Sequence, residues 1–129
     1  MCLRVPLAKA GGLVVNLTDR ANEEGWEDYI AHGSAKMAIE AMTSHFNSVW
    51  KGSAVRHMNK RNAACVALRL PMVLAPDGLS EQQEANLYRK FGEPIGTAAV
   101  CKAVLELSRT NRVDDVVELT YDGMIGGIR

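Results

Sequence analysis

The chain has 129 residues, 47% of them hydrophobic and 23% charged, a balance that suits one small globular domain with its own core and excludes a disordered or fibrous chain. Fifteen basic and fifteen acidic side chains cancel, so no global field draws the molecule onto nucleic acid or an anionic membrane. No apolar stretch approaches the roughly 18 residues that span a bilayer.

Cys2, Cys65 and Cys101 are odd in number, widely spaced and set among apolar neighbours, which reads as reduced core thiols and not as a disulfide framework or a zinc site. Residues 1–10 lack the long apolar core of a secretory signal. Arg4 and Lys9 precede the first acidic residue, Asp19, in the charge order of an organellar presequence, although basic and serine content is thin for one. The expected setting is a reducing compartment, the cytoplasm or the mitochondrial matrix, without secretion and without a membrane span.

Met1 to Ala10 reads as the tail of a helix, and Gly11-Gly12 punctuate the start of the next element. Leu13-Val14-Val15-Asn16-Leu17 is a short, β-branched apolar run, the pattern of a buried parallel strand. A polar loop from Arg20 to Asp28 follows. Ala35, Ala38, Ile39, Met42, Phe46, Val49 and Trp50 then recur at three- and four-residue spacing and predict one long amphipathic helix over 34–50. Its opposite face, Ser34, Met37, Ala41, Ser44 and Ser48, is small or apolar, so the helix expects neighbours on both sides.

Lys51 to Arg61 is a basic polar connection, and Ala63 to Leu70 a second buried strand that Pro71 and Pro76 end. Ser80 with Gln83 makes a capping box for a short helix through about Tyr88. Residues 95–109 predict a further helix, with Pro94 at its start and Ala98, Cys101, Val104 and Leu105 on one face. Val116 to Thr120 is a last strand, closed by the turn Asp122-Gly123. The alternation implies an α/β layered fold with right-handed parallel crossovers.

The run Tyr29-Ile30-Ala31-His32-Gly33-Ser34-Ala35-Lys36 resembles the active-site helix of the short-chain dehydrogenase/reductase family, with His32 where that family's catalytic tyrosine belongs. Gly12-Leu13-Val14-Val15-Asn16 is similar to its glycine-led strand ending in asparagine, and Ala35-Lys36-Met37-Ala38-Ile39 to its post-tyrosine helix. Arg89-Lys90-Phe91-Gly92-Glu93-Pro94 resembles the segment before the family's last helix, and Tyr121-Asp122-Gly123 its closing Val-Asp-Gly-Gly turn. Leu17-Thr18-Asp19 looks closest to the pteridine-reductase-like branch, which also has an aspartate where most relatives carry the catalytic serine.

The resemblance covers nearly the whole chain. It implies a partial Rossmann-like parallel sheet of about three strands with helices, equivalent to the family's C-terminal half. On that reading residues 1–129 form a single truncated domain: a helix tail over 1–10, strand-helix-strand over 11–78, and helices with the last strand over 79–129.

It also implies Asp19, His32 and Lys36 as the catalytic positions, vestigial here, with Lys36 as the surviving contact to a nicotinamide ribose. The family's glycine-rich turn and its ribose-reading residue belong to the first half of the sheet, which this sequence does not include. The Pro-Gly pair that borders the nicotinamide falls on Leu70-Pro71. An imidazole is chemically able to act as a general acid, but the reach of His32 is shorter than a phenol's, and a misplacement of about 1 Å can cost a hundredfold in rate. Tyr29, seven positions before Lys36, is one helical turn too far to replace it.

Each position also has a structural reading: His32 as a half-buried helix-start residue, Lys36 paired with Glu40 at i,i+4, and Asp19 as a cap on the loop or the next helix. Nucleic acid is not an expected partner, apart from a local phosphate contact by Lys51, Arg56, His57, Lys60 and Arg61, which reads more simply as a solvated connection. The histidines show no metal-ligand spacing, so no metal site is expected.

Two functions follow. One is a degenerate short-chain dehydrogenase/reductase-like module without the dinucleotide-binding half or the tyrosine, serving as a structural or assembly subunit and inactive alone. The other is a fragment or split reductase completed by a second chain that brings NADP(H), with no cofactor bound by this chain by itself. In either case a protein partner or a homodimer is expected to cover helix 34–50 and the edge strand 13–17.

Overall fold

A computed structural model of the chain describes residues 12–20, 30–51, 64–110 and 114–127, the side chains of 50 and 51 excepted. In chain order the elements are β1 (Leu13–Asp19), α1 (Ile30–Lys51), β2 (Ala64–Leu70), α2 (Glu81–Phe91), α3 (Thr97–Arg109), β3 (Val116–Leu119) and β4 (Ile125–Gly127). The expected helix tail over 1–10, the loop from 21 to Tyr29, the basic residues Arg56, His57, Lys60 and Arg61, and Cys2 lie outside the described residues, as does the Lys51 side chain.

The strands form one open sheet in the order β1-β2-β3-β4. β1, β2 and β3 run parallel and β4 returns antiparallel to β3. The α/β class stands, and the sheet gains a fourth strand beyond the three expected. A hairpin turn creates it: Thr120 N donates to the Met124 carbonyl at 2.9 Å, Gly123 N donates to the Thr120 carbonyl at 3.0 Å, and Gly123 supplies a φ of 81°. Inside the turn the Thr120 hydroxyl, then the Met124 N–H, donate to Asp122 and hold its carboxyl below the ordinary range.

One face of the sheet is apolar. Val66, Leu68, Val117 and Leu119 are buried there against Ala103 and Leu107 of α3, with Leu13, Val15, Val100 and Val104 packed around them. This corrects the expected apolar face of α3. Cys101 and Ala98 are exposed and Leu105 is 56% exposed, while the buried stripe is centred on Ala103 and Leu107. Apolar residues occur all round this helix, so spacing alone allowed a face turned by about one residue. Cys101 is therefore a surface thiol; Cys65 is a core thiol, its pKa raised by burial.

The other face belongs to α1, which meets the sheet at Asn16, Thr18, Cys65 and Arg69. Strand order steps the same way from β1 to β2 to β3 while the connecting helix changes face. The two crossovers consequently have opposite hands, and one of them departs from the right-handed rule expected for both.

α2 is held by its ends. Ser80 Oγ accepts from Gln83 N at 3.3 Å and Gln83 Oε1 accepts from Ser80 N at 2.9 Å, completing the expected capping box. None of its residues is buried. The helix ends at Phe91, three residues beyond the predicted Tyr88, and is capped by Gly92 with φ 84° and ψ 173°, a region that is essentially glycine-only. A Cβ there would lie 3.3 Å from the Tyr121 ring. Gly92→Ala is expected to lower unfolding free energy by about 1–3 kcal/mol, measured by denaturant titration. Gly126→Ala, where nothing lies within 4 Å of the new Cβ and φ is not positive, is expected to stay within about 0.5 kcal/mol of wild type.

Candidate functional site at the carboxyl end of β1

Asp19 closes β1 at the carboxyl end of a parallel strand, where open α/β sheets place their ligands. α1 begins at Ile30, four residues before the predicted start, so His32 falls in its first turn and Lys36 in the next. The structure brings the three expected residues together. His32 Nε2 meets Asp19 Oδ2 in a hydrogen-bonded ion contact, and Lys36 Nζ donates to the Leu17 carbonyl at 3.2 Å. His32 is exposed and not half-buried as expected. Its outer nitrogen, the one able to reach a substrate, is the one directed at Asp19.

Lys36 does not take the i,i+4 partner expected of it. Glu40 turns under the helix, where Oε1 accepts from Arg69 Nε at 2.7 Å and Oε2 from Arg69 Nη2 at 2.9 Å. Thr18 Oγ1 donates to the same carboxylate at 3.1 Å. Glu40 is 2% and Arg69 4% exposed, so a bidentate ion pair is sealed between α1 and β2. The register places Thr18 beside Arg69 and Arg69 beside Glu118 on one face of the sheet. Arg20, just past β1, forms an ion pair with Glu118 and lies 5.9 Å over the Tyr121 ring, tying the end of β1 to β3 and the turn beyond it.

Two further links continue this seam. Asn16 Nδ2 donates to Thr43 Oγ1 at 3.0 Å, and that hydroxyl donates to the Ile39 carbonyl at 2.8 Å. The Asn47 amide accepts from Cys65 N at 2.9 Å and donates to the Cys65 carbonyl and to Asp115 Oδ1, each at 2.7 Å. β3 pairs with β2 only from Ala67 onward. Asn47 thus satisfies strand groups that β3 has not yet reached.

The inward stripe of α1 is therefore Gly33, Lys36, Glu40, Thr43 and Asn47, not the apolar set expected. Ala35, Ala38 and Met42 are exposed; Ile39, Phe46 and Val49 are half-buried flanks. Sequence reasoning missed Thr18, Glu40, Thr43, Asn47 and Arg69. A signal for them was present in the 3-4-3-4 spacing of residues 33, 36, 40, 43 and 47 and in one arginine inside the apolar strand Ala64–Leu70.

The Lys36 ammonium is directed at the Leu17 carbonyl of β1, and the outer nitrogen of His32 at Asp19. Among the described residues no group of three or more His, Cys, Asp or Glu side chains could hold a metal ion, and no helix is long and apolar enough to cross a membrane.

Fold and site together define an α/β protein on an open, mostly parallel four-stranded sheet. No protein-family model, no curated protein and no solved structure matches the chain.

Removing either member of the Glu40–Arg69 pair strands a buried charge. Arg69→Met or Glu40→Leu alone is expected to cost about 3–5 kcal/mol in denaturant unfolding, whereas the double variant recovers most of that loss.

Proposed function

We propose that this chain is a degenerate short-chain dehydrogenase/reductase-like module, closest to the pteridine-reductase-like branch, that serves as a structural or assembly subunit and is not active alone. The observation that carries the reading is the orientation of α1. Between Ile30 and Trp50 its two charged residues, Lys36 and Glu40, are turned toward the sheet. The solvent side presents alanine, serine, Ile30, Met37 and Met42, the last three 75%, 57% and 53% exposed. A soluble helix ordinarily does the reverse. A long uncharged face of this kind favours coverage by another polypeptide.

The chemistry at the carboxyl end of β1 supports the same reading. Asp19 and His32 engage each other and Lys36 engages Leu17, so the ancestral catalytic positions hold the strand end to the helix start.

Native purification followed by size and mass analysis is expected to recover the chain in a homodimer or a larger complex. Met37→Glu with Met42→Glu should weaken that association by at least about tenfold per site while the circular dichroism is kept. A lone monomer at every concentration, with no partner recovered, overturns the reading.

The convergence of Asp19, His32 and Lys36 on one strand end favours one alternative, a split reductase completed by a chain that carries NADP(H). Fluorescence titration distinguishes the two. No NADPH binding by this chain is expected, and His32→Tyr is expected to yield no reductase activity. Micromolar binding by the chain alone would overturn the first reading.

A further inference from the structure

β1 is an edge of the sheet, and among the described residues β2 is the only strand bonded to it. Its backbone groups alternate between the two sides. Ala64 N donates to the Gly12 carbonyl at 3.0 Å, and the parallel register sets Leu13 beside Ala64 and Leu17 beside Leu68. In a parallel ladder this directs the peptide groups of Gly12, Val14, Asn16 and Thr18 toward β2 and those of Leu13, Val15 and Leu17 toward the open edge. The edge segment Leu13-Val14-Val15-Asn16-Leu17 is uncharged, rich in strand formers and free of proline, the composition that invites pairing with another strand.

One outward acceptor is occupied from within the chain. Lys36 Nζ donates to the Leu17 carbonyl. The lysine is half-buried and stands one turn before Glu40, which fixes the helix to β2 through Arg69. Its ammonium is thus delivered to the edge by a rigid support.

We propose that Lys36 guards the β1 edge against antiparallel pairing with a second copy of this chain. Self-pairing centred on Val15 sets Leu13 of one copy opposite Leu17 of the other, and the bond at each end of the ladder needs the Leu17 carbonyl that Lys36 holds. Forming the pair strips that contact twice and leaves two ammonium groups beside a desolvated seam, a costly arrangement without a counter-charge. The guard acts on the strand and is independent of what covers the outer face of α1.

The test compares Lys36→Met, Lys36→Gln and Lys36→Arg in the full chain, each with and without the Met37→Glu/Met42→Glu pair that removes helix-mediated association. Sedimentation velocity over a concentration series reads self-association, and amide hydrogen exchange reads Leu13, Val15 and Leu17. Lys36→Met and Lys36→Gln are expected to self-associate at least tenfold more tightly than their parents, with slower exchange at those amides; Lys36→Arg, which keeps a donor, should behave like its parent. Adding Val15→Pro removes an outward N–H at a position where an edge strand tolerates proline and is expected to abolish the gain. Unchanged association and exchange in the two neutral variants overturns the proposal, as does a gain that survives Val15→Pro. If Lys36→Met loses the circular dichroism of the parent, Lys36→Gln alone decides.

Discussion

The carboxylate of Glu40 and the guanidinium of Arg69 meet in a bidentate pair between α1 and β2, almost wholly out of water, and the remaining architecture is arranged around them. Two buried charges have a desolvation cost that only close, well-aligned bonds offset, so the pair fixes both the depth and the rotation of the helix on the sheet. Lysine at position 69 could not supply two parallel bonds to one carboxylate. Thr18 adds a third bond from β1, so the same carboxylate joins the helix to two adjacent strands.

Once the helix is rotated to bury Glu40, residues at i±3 and i±4 must face the sheet too. Gly33, Lys36, Thr43 and Asn47 are carried inward together, and the polar ones find partners: Leu17's carbonyl, Asn16 and the Cys65 peptide. The apolar residues that would line an ordinary inner face are displaced to the flanks and to the solvent side. The outward Met37 and Met42 are thus a consequence of the inward ion pair. The two sheet faces also differ in kind: α3 packs through a nonspecific apolar layer, whereas α1 docks through directional bonds that admit a single register.

How much of this was legible in the sequence varies by element. Ala64 to Leu70 is an apolar run broken only by Arg69 and was readable to within one residue; the capping box at Ser80 and Gln83 names its own backbone partners, and both bonds are present. Helix α1 was readable as a helix but not in its orientation, because its polar stripe is as periodic as its apolar one and spacing alone does not select which faces the sheet. A buried charge is recognisable only with its partner, and Arg69 lies 29 positions from Glu40. β4 was missed because Gly126-Gly127 carries no strand propensity. Gly127 has a steric reason: a Cβ there would fall 2.5 Å from the Asp114 carboxylate. The crossover hands were beyond reach, since they depend on which face α3 selects.

Asp19, His32 and Lys36 show that a constellation can be legible in position without its role being so. The spacing rule that places 32 and 36 on one helical face, near the end of the strand before it, is borne out by the geometry. Proximity is nevertheless necessary for a catalytic site and not sufficient. A general acid needs its outer atom directed at a substrate, and here that atom is directed at Asp19, while the lysine is directed at a strand edge. The bonds of these three residues connect the last residues of β1 to the first two turns of α1, the junction at which the rotation set by Glu40 and Arg69 is handed to the open edge of the sheet.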